Sequence, residues 1–175
     1  MQNKIIIIIA PHNFQEREFF ESKKIFEQNG LEINIASITS KSAISSSGTS
    51  LKPDMALKEI DINDYDCFVI IGGFGARDYL WNNLELRNIL QKTTTKKKII
   101  AAICLAPVVL AKAGLLSGLK ATVHKNKDSL NEFKINNVKY LSKSVVVDGN
   151  IITGKGPKSS KEFALKIIEL INKKT

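Results

Sequence analysis

Lys98-Ile99-Ile100-Ala101-Ala102-Ile103-Cys104-Leu105-Ala106-Pro107-Val108-Val109-Leu110-Ala111 is the stretch from which the fold is read. An apolar run reaches Cys104, and a second apolar run suited to a helix begins within two residues of it. Pro107 sits where a first helical turn tolerates proline, because the N–H it lacks would have had no partner there. The segment predicts a strand over Ile99–Ile103, a sharp turn at the cysteine, and a helix over 106–113 stopped by Gly114. A cysteine so placed lies at the carboxyl end of a strand, where open α/β sheets bind ligands. It also faces the positive end of a helix, which favours thiolate over thiol. A pKa lowered from ~8.5 toward ~5–6 would leave most of the sulfur ionised at neutral pH. Local physics alone leaves two readings of Cys104 open, a reactive thiol or a small core residue.

Upstream, residues 4–10 form a continuous β-branched run, the pattern of a strand buried on both faces. A helix is expected over 15–28, with Asn13 as its cap, Glu16 and Glu18 in the first turn, and Asn29-Gly30 closing it. A strand over 31–36 follows, then a Ser-rich loop or short hairpin over 38–50. Residues 66–71 read as a buried strand ending at Gly72-Gly73, followed by a helix over 84–91 and a polar Thr/Lys turn. Downstream, strands over 145–147 and 151–153 flank Asp148-Gly149-Asn150, a hairpin turn that needs positive φ. An amphipathic helix over 159–171 closes the chain. Strands alternating with helices imply an α/β fold, a mostly parallel sheet with helices on both faces. Neither repeats nor an internal boundary interrupt residues 1–175, which are expected to form a single domain.

Hydrophobic residues make up 43% of the chain and charged residues 25%, proportions of a globular protein. The apolar run near the start is too short to cross a bilayer and has no small-residue cleavage site after it. Two cysteines make no disulfide framework and suit a reducing, cytoplasmic setting. Cys67, inside Asp66-Cys67-Phe68-Val69-Ile70-Ile71, reads as core. The net charge of +9 comes almost entirely from scattered lysines, with arginine only at Arg17, Arg77 and Arg87. Arginine forks and base-stacking aromatics are what nucleic-acid recognition favours, so a solvated basic surface is the expectation. No metal ligands occur at suitable spacing, and Gly72-Gly73-Phe74-Gly75 lacks the later glycine and acid of a dinucleotide fingerprint. No cofactor is expected.

Three blocks then stand together: Val69-Ile70-Ile71-Gly72-Gly73, Ala101-Ala102-Ile103-Cys104-Leu105-Ala106-Pro107, and Val147-Asp148-Gly149-Asn150-Ile151-Ile152-Thr153-Gly154-Lys155-Gly156-Pro157. In order and spacing they resemble the ThiJ/PfpI family, closest to the branch of the parkinsonism-associated protein deglycase, over nearly the whole chain. The resemblance implies a flavodoxin-like three-layer sandwich, a homodimer, and Cys104 as nucleophile on the elbow. It places Glu18 beside the sulfur, where a protonated carboxyl would donate to a thiolate. Gly72, Gly73 and Leu105 are the implied backbone donors to an oxyanion. Thr122-Val123-His124 matches the histidine of this branch, which makes His124 a candidate for proton transfer. His12, after the first strand, is expected only to line the cleft rim.

Some positions depart from the family pattern. Gln15 replaces an acid, Lys155 replaces a common arginine, and Leu105-Ala106 replaces smaller residues. The histidine that follows the cysteine in peptidase-like relatives is Leu105 here, which weakens a cysteine-peptidase reading. The implied function is a cysteine-dependent glyoxalase or deglycase acting on methylglyoxal or early glycation adducts. Cys104 would attack, and Glu18 and His124 would move protons. The alternative is a redox-sensing or chaperone-like stress protein whose Cys104 oxidises. Phe19, Phe20 and Trp81 are the apolar residues expected to be exposed for dimerisation.

Overall fold

Ile5, Ile6, Ile7, Ile8 and Ile9 have no exposed surface. Such a run can be stable only inside a sheet covered on both faces, and the computed structural model, which describes residues 3–174, places it there. The chain runs β1 (Lys4–Ile8), β2 (His12–Phe14), α1 (Glu16–Gln28), β3 (Glu32–Ser37), β4 (Ala43–Ser45), β5 (Ser50–Leu51), β6 (Met55–Ala56) and β7 (Cys67–Ile70). It continues through α2 (Leu84–Thr95), β8 (Ile99–Ile103), α3 (Pro107–Lys112), β9 (Lys120–Ala121), α4 (Lys127–Ile135) and β10 (Lys139–Tyr140). It closes with the hairpin β11 (Val145–Asp148) and β12 (Ile151–Gly154), then α5 (Ser160–Asn172).

The central sheet has the order β11-β12-β8-β7-β1-β3-β6 and is parallel except for the pairing of β11 with β12. The order reverses between β1 and β7: one crossover leads outward to β3, the next pairs lead back to β8 and β12. Right-handed crossovers in opposite directions put α1 and α2 on opposite faces. α5 packs on α1, β8 and β12, and α3 packs between α2 and α4. The result is the flavodoxin-like three-layer sandwich, whose ligands gather at the carboxyl ends of the strands near the reversal.

Local differences from the sequence reading have identifiable causes. Gln15, not Asn13, caps α1: its side-chain oxygen accepts the N–H of Arg17 at 2.8 Å, while Asn13 lies in β2 with φ 55°. The 38–50 segment does contain a hairpin, β4 with β5, and β2 joins it to make a separate three-stranded sheet. α2 continues to Thr95, and within its last turn the hydroxyls of Thr93 and Thr94 bond back to the carbonyls of Ile89 and Leu90. α4 lies in a polar stretch with a weak apolar signal, and its start is set by Asn126 and Ser129, which cap each other's backbone N–H groups. Phe19 and Trp81 are not exposed; both are core residues, and only Phe20 keeps 41% of its surface. Among the described residues no helix is long and apolar enough to cross a membrane.

The contrast between adjacent phenylalanines is a direct test of this packing. Phe19→Ala should cost about 3–5 kcal/mol in urea unfolding, the scale of a deleted core aromatic. Phe20→Ala should cost about 1 kcal/mol or less, because half-exposed positions lose little.

Candidate active site

β1, β7 and β8 end side by side, with Ile70 paired to both Ile8 and Ala102. The residues that follow each strand therefore converge: α1 after β1, Gly72-Gly73 after β7, and Cys104 after β8. Cys104 adopts φ 63°, a left-handed conformation that costs a non-glycine residue on the order of 1–3 kcal/mol. Three contacts hold it there. Its N–H donates to the Gly154 carbonyl at 2.9 Å, and its carbonyl accepts the His124 N–H at 2.8 Å. The Trp81 indole N–H donates to the Leu105 carbonyl at 2.8 Å. Trp81 was missed as a site residue; a lone tryptophan after a glycine-rich turn gives no hint that its N–H will pin the elbow.

α1 turns Glu18, Phe19, Ser22 and Phe26 inward. Glu18 is thus a carboxyl group on a core-facing stripe, with no exposed surface. Its Oε2 accepts the Gly72 N–H at 3.0 Å, while its buried Oε1 has no hydrogen-bond partner among the described residues. Gly72 is glycine because of crowding. A Cβ there would stand 2.4 Å from the Cys104 Cβ, 2.5 Å from the Ile103 carbonyl oxygen and 2.9 Å from Glu18 Oε2. Gly73, at φ 95°, occupies a conformation that glycine alone adopts freely. The N–H groups of Gly73 and Leu105 face the sulfur and stabilise its anion, whereas that of Gly72 is taken by Glu18. The two glycines expected to serve one oxygen therefore serve different groups.

Burial pushes the Glu18 carboxyl up to about 8, against the opposing pull of the Gly72 N–H and the Cys104 thiol. The thiol does not behave as the helix-dipole argument expects. Burial, and then the charge on Glu18, push Cys104 up to about 12; the Gly73 and Leu105 N–H groups only partly offset this. α3 is six residues long and the cysteine is 7% exposed, so desolvation outweighs the dipole. Sulfur and carboxyl influence each other's proton affinity and titrate as a coupled pair. Protonating Glu18 removes the repulsion and makes the carboxyl a donor. Cys67 is fully buried, and burial raises its thiol too, consistent with a core residue.

His124 stands at the end of the Thr122-Val123-His124 segment. The buried Thr122 is tied by its N–H to Thr153 Oγ1 (2.9 Å) and by its hydroxyl to the Lys143 carbonyl (2.8 Å). The His124 backbone abuts Cys104, but its side chain is exposed and hydrogen-bonds to neither Cys104 nor Glu18 among the described residues. It faces a shallow cavity shared with Arg17 and Lys155. His12 is exposed, its ring 5.9 Å from that of Tyr79.

Residues 3–170 match the DJ-1/PfpI family. The chain belongs to that family. An uncharacterized protein of Methanocaldococcus jannaschii is 38% identical, over 97% of this chain and 83% of its own length. DJ-1/PfpI relatives named for an activity include the glutathione-independent glyoxalase DJR-1.2 of Caenorhabditis elegans, 29% identical over 97% of this chain and 89% of that protein. The deglycase PfpI of Pyrococcus furiosus is 27% identical over 95% and 98%. The crystal structure of a ThiJ/PfpI domain protein from Brachyspira murdochii superposes with a TM-score of 0.93 at 31% identity, covering 98% of each chain.

Two outcomes are expected. Because the folded pKa of Glu18 lies above its ordinary 4.5, its stability contribution is complete below that value and is lost as pH rises toward about 8. Wild-type stability should therefore decline relative to Glu18→Gln across that window, by up to about 1.4 kcal/mol per pH unit. Urea titrations of both proteins at several pH values measure this, and parallel curves would refute the raised pKa. Separately, Gly72→Ala should cost about 3 kcal/mol or leave the protein unfolded, since every atom it meets belongs to the elbow or to Glu18.

Proposed function

We propose that the protein is a cofactor-independent glyoxalase or deglycase acting on small reactive carbonyls through Cys104. The observation that carries this reading is the pairing of a strained, left-handed cysteine with a fully buried carboxyl whose proton affinity lies near neutral. A carboxyl at about 8 can accept and return a proton at physiological pH, which is what a general acid–base group must do. The activities in the names of two relatives support the same class.

In this reading Glu18 takes the thiol proton as sulfur adds to the aldehyde carbon of a 2-oxoaldehyde, giving a hemithioacetal. The N–H groups of Gly73 and Leu105, which face the sulfur, steady the developing oxyanion. A proton leaves the former aldehyde carbon and returns to the neighbouring one, with Glu18 and, from the open side of the cleft, His124 as carriers. The resulting thioester is cleaved by water. The sum is one 2-oxoaldehyde plus one water giving one 2-hydroxy acid, with no external oxidant or reductant. The same attack on an early glycation adduct would return the free amine or thiol. We further propose that the protein works in the cytoplasm as a homodimer.

A second reading rests on the unpaired Glu18 Oε1. A protonated carboxyl there could donate to a sulfinate formed on Cys104, making the site a peroxide sensor.

Methylglyoxal turnover without glutathione, followed by lactate formation, tests the first reading. Wild type should convert it, Cys104→Ser should not, and Glu18→Gln should fall by about 10²–10⁴, the range of a lost acid–base group. Full activity in Cys104→Ser would end the proposal. An inert wild type that gains two oxygens on Cys104 under mild peroxide, seen by mass spectrometry, would favour the sensor.

A further inference from the structure

The cavity onto which His124 opens has a volume of about 410 Å³ and is lined by Arg17, His124, Lys155, Lys158 and the Gly156-Pro157 turn. No acidic side chain lines it among the described residues. Among the described residues the only carboxylate bonded to its cations is Glu21, 3.3 Å from Arg17 on the exposed flank of α1, and Lys155 has a hydroxyl partner, Ser142 Oγ at 3.4 Å. The cavity also lies at the N-terminal turn of α5, where a helix favours negative charge.

Its position is set by the elbow itself. Cys104 bonds through its carbonyl to His124, which lines the cavity, and through its N–H to Gly154, whose chain successors Lys155 and Gly156 line it too. Arg17 comes from the other side, one residue before the buried Glu18. Arg17, Lys155 and Lys158 thus stand on the side of the elbow that carries His124.

We infer that this cavity selects substrates with an anionic group, carboxylate or phosphate, a few bonds from the reacting carbonyl. As a statement about substrate this rests on the carbonyl chemistry proposed above; as a statement about the approach to Cys104 it does not. The reaction is unchanged in balance. 4,5-Dioxovalerate plus water gives 2-hydroxyglutarate, and hydroxypyruvaldehyde phosphate plus water gives 3-phosphoglycerate.

The first experiment needs no catalysis. Iodoacetate and iodoacetamide both form a sulfur–carbon bond and release iodide, but only the former is an anion. The rate ratio of iodoacetate to iodoacetamide at Cys104, in a Cys67→Ala background, should exceed that of N-acetylcysteine. It should fall about two- to fivefold in Arg17→Gln and in Lys155→Gln, the scale of an exposed ion pair. Lys92→Gln, on α2 across the sheet, should leave it unchanged. A ratio equal to that of the free thiol, or one that falls as much in Lys92→Gln, overturns the inference and reduces the effect to overall net charge.

The second experiment compares kcat/KM for 4,5-dioxovalerate and hydroxypyruvaldehyde phosphate with that for methylglyoxal. A preference for either anion that shrinks in Lys155→Gln supports the inference, and the larger preference identifies carboxylate or phosphate. Equal values for charged and neutral aldehydes overturn it as a substrate rule. A charge-dependent alkylation ratio with no aldehyde turned over would sink the glyoxalase reading and leave the anion-selecting approach standing.

Discussion

The hydrogen bond from the Gly72 N–H to Glu18 Oε2 ties together the three strand ends that make the site. It fixes a carboxyl group from α1 against the turn after β7, and the same glycine touches the elbow after β8. A buried carboxyl without such a donor would cost several kcal/mol and drift toward solvent. Here one oxygen is satisfied by the Gly72 N–H and the other is buried without a hydrogen-bond partner among the described residues, and burial makes the group keep its proton to an unusually high pH. The thiol beside it inherits the consequence. Its proton affinity depends less on the short helix that follows than on whether Glu18 is charged. The two groups are therefore coupled, and the charge state of one sets the proton affinity of the other.

The strain at Cys104 depends on the same arrangement. A left-handed residue persists only when its surroundings over-determine it. Gly154 and His124 grip the Cys104 backbone from the side of β12, and Trp81 holds Leu105 from the side of α2. The sulfur thus faces the β7 turn. Sheet order is what allows this: β8 lies between β7 and β12, so an elbow at its end is flanked on both sides by backbone donors and acceptors.

Much of this was readable from the chain. The isoleucine run, the apolar stretch ending in Cys104 and the Asp148-Gly149-Asn150 turn are local patterns, and local patterns determine strands and hairpins. The family resemblance supplied Glu18, which on its own reads as an ordinary first-turn acid. That α1 buries Glu18 and Ser22 together with Phe19 and Phe26 becomes visible only once the helix is seated on the sheet. The thiol's environment failed to follow from sequence for a related reason. Dipole arguments use neighbours along the chain, whereas desolvation and the Glu18 charge come from elements far away in it. α4 and Trp81 share that cause: a weakly apolar helix and an indole N–H acquire their meaning from tertiary partners.

The basic chamber shows how the catalytic pair and its surroundings divide the electrostatic work. A full negative charge brought against Glu18 and Cys104 would raise both proton affinities beyond what burial already does, because it repels the anionic form of each. Positive charge placed directly at the pair would do the reverse and abolish the elevated carboxyl. Arg17, Lys155 and Lys158 line the cavity of His124 instead, which neither Glu18 nor Cys104 lines. There they can compensate an anionic tail without neutralising the buried carboxyl. Lys155 supplies a point charge there, without the fork that an arginine would offer to a carboxylate or a phosphate. The scattered lysines that give the chain its +9 charge have no such common target. What distinguishes these three is the cavity they share with His124, whose backbone N–H is bonded to the Cys104 carbonyl.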